Sequence, residues 1–244
     1  MSDKSELLLK PKRFYKAAAV APAAEPVGGG FAVQLDGRTP RSPARKPLVL
    51  PTRALAEAVA AEWEAQVEVI DNSLMPATRL AFTAIDRIAE TRAEVAREIT
   101  AYASSDHLCY RADSPRGLVE RQEREWGAML GWARAEHGLV FTPTAGIIHA
   151  PQPPATLAAV EALALTLDDF TLAGVAFAAG LFGSTVLALA VRAGRLTGQR
   201  ALDLSRLDEI WQAEQWGEDA EAKARADALA VEAAMIDHWF AALR

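Results

Sequence analysis

The chain has 244 residues, enough for one large domain or for a small domain joined to a larger one, and either can bury a core. A formal net charge of -6 argues against nucleic acid as the main partner, because phosphate binding needs a basic surface. The single cysteine, Cys109, cannot form an internal disulfide, so the protein suits a reducing compartment or is indifferent to redox state.

The N-terminal stretch Met1 to Lys12 contains Leu7, Leu8 and Leu9 but no apolar signal core and no cleavage site of small residues. A bacterial cytoplasmic location is expected, since the Arg- and Ser-rich amphipathic character of a transit peptide is missing; a processed protein of the mitochondrial matrix would read the same way. From Phe14 to Val20, Gly30 to Leu35 and Pro47 to Leu50 the chain shows short strand-like runs separated by Gly- and Pro-rich turns. Asp36-Gly37 supplies a hairpin turn between Leu35 and Arg38. Alternation puts Phe31, Val33 and Leu35 on one face, which a small sheet must bury against another element. Gly28-Gly29-Gly30 precedes a strand and not a helix, so it reads as a turn and not a phosphate cradle. Arg38, Arg41, Arg45 and Lys46 form a basic loop, either solvated or in contact with an acidic partner. Residues 1–51 thus read as a small β-rich N-terminal domain.

Residues 52–244 read as a larger multihelical domain, giving an α+β fold that is predominantly α. Thr52 is placed to cap a helix reaching about Val67 with Leu55, Val59 and Trp63 in its stripe, and Met75-Pro76 introduces a longer one to Tyr102. Asp106 to Arg111 predicts an extended link. Ser114 and Pro115 suit the N-cap and first position of a helix to Glu136, with Leu118, Gln122, Trp126 and Met129 near one face. Leu139 to Ile148, interrupted by Pro143 and Gly146, predicts an irregular excursion, and a helix follows Pro154. Phe170 to Val191 holds 22 residues without a charge, long enough to span a bilayer. Its Ala, Gly, Ser and Thr content favours a buried helix, or two helices parted near Gly180 to Gly183. One helix is predicted across Leu202 to Trp216, and a terminal one from about Glu218 to Leu243.

Two glutamines stand one helical turn ahead of a Trp-Gly pair: Gln122 before Trp126-Gly127 and Gln212 before Trp216-Gly217. Glu62-Trp63-Glu64-Ala65-Gln66 sets a third tryptophan among carboxylates. Half-buried glutamines at these places would fix how helices meet, whereas Trp211 and Trp216 divide evenly between core and contact surface. Sites for chemistry are sparse. His107 and Cys109 are two apart with no third group to orient the imidazole, which favours a buried structural thiol. The four histidines lie singly and no spacing resembles a zinc site, so neither metal nor cofactor is expected. Glu209, Glu214, Glu218, Asp219 and Glu221 suit a solvated helix face, with paired catalytic carboxylates near Trp216 as the alternative.

Taken in order, Arg13-Phe14-Tyr15-Lys16, Val33 to Arg38, Leu50-Pro51-Thr52, Ala61 to Gln66, Met75-Pro76, Ala84-Ile85-Asp86, Asp106 to Arg111 and the two Trp-Gly motifs resemble the Atp12 family of ATP synthase F1 assembly chaperones. The resemblance runs from Arg13 to about Leu243. It implies a non-enzymatic, monomeric protein, without stable membrane insertion, that binds the free F1 α subunit and shields its subunit interface until the β subunit displaces it. It also implies an acidic residue of functional importance in the C-terminal helices. The expected partner-binding set is Glu209, Trp211, Gln212, Glu214, Trp216, Glu218 and Glu221. A carboxylate-based enzyme and a membrane-associated factor anchored through Phe170 to Val191 are the alternatives.

Overall fold

The computed structural model describes residues 10–23, 29–146, 148–217 and 219–244. The leucines at 7 to 9, Gly28 and Glu218 lie outside the described residues. The fold is α+β and mainly helical, a small antiparallel sheet near the N-terminus being followed by a multihelical region. Two compact units are present: one ends at Glu90 and takes in Ala241–Arg244, and the other is Thr91–Phe240.

In the first unit β1 (Ala18–Pro22), β2 (Phe31–Leu35) and β3 (Val49–Leu50) form an antiparallel sheet with β2 in the middle. Ala18 lies opposite Leu35 and Phe31 opposite Leu50. Asp36 and Gly37 both have positive φ, 48° and 80°, and Leu35 and Arg38 exchange backbone hydrogen bonds of 2.9 and 3.0 Å. This is the two-residue turn whose twist matches a hairpin. Helix α1 (Arg53–Glu64) packs on the sheet through Leu55, Ala56, Val59, Ala60 and Trp63, and the Thr52 hydroxyl accepts from the Leu55 N–H as its cap.

The outer edge of β1 is occupied at both ends. The Ala18 N–H donates to Glu64 Oε2 at 2.6 Å, and Pro22 has no N–H. Just before the strand, the Asp36 carboxylate accepts from the N–H groups of Lys16 and Ala17, which hold its pKa below the usual carboxylate value.

The helix expected from Met75-Pro76 to Tyr102 is interrupted. It consists of α2 (Pro76–Thr83), a π-helical turn over Ala84–Ile88, and α3 (Ala89–Ser104), in which Thr91 departs from helical geometry at φ -118°, ψ 15°. Lys46 Nζ donates to the carbonyls of Ile85 and Asp86 at 3.1 and 3.5 Å, drawing them off the helical ladder. Asp86 in turn accepts from the Ser42 hydroxyl and the Ala44 N–H, so the basic loop is tied down by its backbone as well as by Lys46.

The second unit is built on α4 (Arg116–His137), α5 (Pro154–Thr166), α6 (Asp169–Phe182), α7 (Thr185–Arg192), α8 (Gly198–Ser205), α9 (Leu207–Trp216) and, up to Phe240, α10 (Ala220–Leu243). Two-residue strands β4 (Tyr110–Arg111) and β5 (Thr144–Ala145) pair in parallel, so the excursion after Leu139 joins a short ladder. The charge-free run becomes two buried helices. The Asp168 carboxylate caps α6, Gly183 ends it at φ 60°, and the Ser184 hydroxyl caps α7. At 14 residues α6 reaches about 21 Å, short of the roughly 30 Å hydrocarbon core of a bilayer. No described helix is long and apolar enough to cross a membrane. Residues 202–216 are two helices, not one, because Arg206 leaves the helix at φ -113°, ψ 24°.

Candidate functional site

The first Gln/Trp-Gly motif points inward. On α4, Gln122 Oε1 accepts from the Ala112 N–H at 2.8 Å while its Nε2 donates to Asp208 Oδ1 at 2.6 Å. One turn on, the Trp126 indole N–H donates to the Leu204 carbonyl at 2.8 Å. Both side chains are fully buried, and together they fasten α4 to the link before it and to α8 and α9. The Arg206 break leaves the Leu204 carbonyl free for this bond.

The stretch Glu62 to Gln66 is also internal architecture. The Glu62 carboxylate accepts from the Ala77 N–H, the Thr78 N–H and the Thr78 hydroxyl, each at 2.7 Å, and so caps α2. Burial nonetheless pushes its pKa up against those donors. The Trp63 carbonyl accepts from the Tyr15 hydroxyl at 2.6 Å, Glu64 holds Ala18 and pairs with Arg13, and Gln66 Oε1 accepts from the Asp71 N–H at 2.8 Å. The carboxylates of Glu62 and Glu64 and the amide of Gln66 are thus used within the first unit, while the buried Trp63 indole N–H has no partner among the described residues.

The second Gln/Trp-Gly motif behaves differently, and α9 divides its candidates between two faces. Leu207 is buried. Trp211 is half-buried, its ring lying so near Gly117 of α4 that a Cβ there would sit 2.6 Å from Cη2. Glu214 is on the same side, paired with Arg121 of α4 at 2.7 Å. On the outward side are Glu209, Gln212 and Trp216, the last 80% exposed. The half-buried, helix-fastening role expected for Gln212 is therefore not the one found: its side chain is exposed. Glu209 pairs with Arg206 at 3.5 Å, and Glu221, in the first turn of α10, pairs with Arg225 at 3.4 Å.

Between α8 and α9 on one side and α10 on the other runs a groove of about 320 Å³. Leu202, Ile210 and Ala213 line it from one side and Ala222, Ala226 and Ala230 from the other, together with charged side chains. Of the described sequence candidates Glu209 and Asp219 line it, and Trp216 stands at the end of α9 one turn beyond Ala213. The α10 alanines, spaced by four residues, were the overlooked signal: that period places a track of small side chains on one helix face.

Other titratable groups sit in the core. Burial raises the Cys109 thiol to about 12, so it carries almost no thiolate near neutral pH and forms no reactive pair with His107. Asp106 is fully buried and accepts from the N–H groups of Leu108 and Val186 at 3.2 and 3.1 Å, yet burial still raises it to about 6. Among the described residues no cluster of three or more His, Cys, Asp or Glu is placed to hold a metal ion.

The sequence model of the family described as ATP12 chaperone protein matches residues 12–134. Among solved structures the chain is similar to Atp12 from Paracoccus denitrificans, with 39% identity over 96% of this chain and 99% of that one and a TM-score of 0.87. An aspartate-to-lysine variant of the same organism's Atp12p gives 38% identity over 96% and 98%, with a TM-score of 0.87. A protein of Agrobacterium tumefaciens, provisionally assigned as a chaperone, gives 42% identity over 96% of this chain and 87% of that one, with a TM-score of 0.89.

Proposed function

Because the chain belongs to the ATP12 chaperone family, we propose that it acts in ATP synthase assembly by binding the unassembled α subunit of F1 and shielding its subunit interface until the β subunit takes its place. An unassembled subunit exposes the apolar surface meant for its neighbour, and such surfaces associate with wrong partners. A stoichiometric binder needs no catalytic residue to prevent this. It needs an interface weak enough for the proper neighbour to displace it.

The observation that carries the reading to a place on the chain is Trp216. A tryptophan 80% exposed is the kind of large, amphipathic side chain that anchors protein interfaces, whereas Trp126 and Trp63 are buried within their own units. Glu209 and Gln212 share its face of α9. Trp211 and Glu214 serve by fixing that helix on α4, and Glu221 by its place at the start of α10. The protein works in this reading as a monomer in the bacterial cytoplasm.

The test is co-purification of the protein with isolated F1 α subunit and, separately, with α already paired to β. Retention of free α and little of the pair is the expected result. Equal retention of both would remove displacement from the mechanism, and retention of neither would remove the α subunit as client.

A further inference from the structure

We infer that the groove between α8–α9 and α10 receives a segment of the client that presents one or two aliphatic side chains flanked by lysine or arginine, an inference that rests on the chaperone reading above. The floor sets the apolar part. Leu202, Ile210 and Ala213 face Ala222, Ala226 and Ala230 across a volume of about 320 Å³. That is space for on the order of ten waters, or for about two or three aliphatic side chains, and too little for a whole helix.

The walls set the charge. Among the described residues four carboxylates, Asp203, Glu209, Asp219 and Asp227, line the groove against two cations, Arg206 and Lys223. Both cations are already committed. Arg206 pairs with Glu209 at 3.5 Å and Lys223 with Asp227 at 3.6 Å. Asp203 and Asp219 are left, one on each wall. Asp203 accepts from Gln199 Nε2 at 2.8 Å and Asp219 from the Ala222 N–H at 2.9 Å, but among the described residues neither has a cation within ion-pair distance. An apolar floor between two uncompensated carboxylates complements an apolar side chain with a positive charge on either side. Trp216, beyond Ala213 on α9, extends the contact with an aromatic surface on which an arginine can also stack.

The experiment measures binding of isolated F1 α subunit to the full chain at about 50 mM and about 500 mM salt, for the wild type, the double variant D203N/D219N and the variant A226L. The asparagines keep the hydrogen-bond acceptors and remove the charge; leucine at 226 fills the floor at an accessible helix position. Circular dichroism and melting confirm that each variant is folded. The expected result is a loss of about tenfold for D203N/D219N at the lower salt that shrinks at the higher, and a loss of similar size for A226L at both. If the wild type binds α and both variants stay within about twofold of it, the groove inference is wrong while the chaperone reading stands. If the wild type does not bind α at either salt, the chaperone reading fails and takes this occupant with it.

Discussion

Gly198 lies directly under the carbonyl of Ala233: a Cβ at that glycine would sit 1.8 Å from the oxygen. The first turn of α8 therefore touches the backbone of α10, and this crossing closes one end of the groove, whose lining begins at Gln199 and Ala230. The obstacle is main chain and cannot rotate away, as a side chain could. Gly198→Ala should destabilise the protein by roughly 3 kcal/mol, well beyond the ~1 kcal/mol that alanine gains in a helix. Chemical denaturation measures it, and an unchanged midpoint would mean that the two helices are not in contact here.

The two motif glutamines should separate cleanly on substitution. Gln122→Ala leaves the Ala112 N–H without its acceptor and Asp208 without its donor in a buried place, at a cost of about 2 to 3 kcal/mol. Gln212→Ala, on an exposed face, should stay within about 0.5 kcal/mol of the wild type. Equal losses in urea titrations of the two variants would contradict this assignment.

Trp216→Ala should leave thermal melting where it is and weaken binding of the isolated α subunit about tenfold or more, as truncation of an interface anchor does. Trp126→Ala makes the contrast, since deleting a buried indole costs roughly 3 to 5 kcal/mol of stability. Calorimetry beside a binding titration distinguishes the two tryptophans. A Trp216→Ala protein that melts early but binds normally would return that residue to the core.

Asp106 links stability to pH. Its folded pKa, about 6, lies above the ordinary carboxylate value of 3.8, so the folded state holds the proton more tightly than the unfolded chain. The contribution is fully present below about pH 3.8 and is lost as pH rises through about 6. Relative to a D106N variant, which does not titrate, the wild type should lose up to roughly 3 kcal/mol between about pH 4 and pH 7. Urea denaturation of both proteins across that range gives the difference directly. A difference that grows in favour of the wild type with pH would mean that the donors from Leu108 and Val186 outweigh burial.

Local rules are well written in the sequence. Asp36-Gly37 makes its turn, Thr52 caps α1, and Gly183 with Ser184 parts the charge-free run into two helices, because each depends only on a few adjacent residues. The breaks that the sequence hides depend on distant groups. Residues 84–88 widen into a π turn where Lys46 takes their carbonyls, and Arg206 leaves its helix where Trp126 takes Leu204's, with no Gly or Pro at either place. The candidate site was legible as a segment but not as a surface. Period alone put Gln212 and Trp216 on one face, as it did Gln122 and Trp126; which face meets solvent was decided by α4, reached through Trp211 and Arg121.

A foreign strand laid along β1 would find the Ala18 N–H already given to Glu64 and no N–H at Pro22, leaving Val20 as the one outward-facing residue of the strand with both backbone groups to offer. A ladder cannot propagate from one such residue. The outer edge of β1 is thereby a dead end for strand addition, so another chain can be held along it by side chains but not by a backbone ladder.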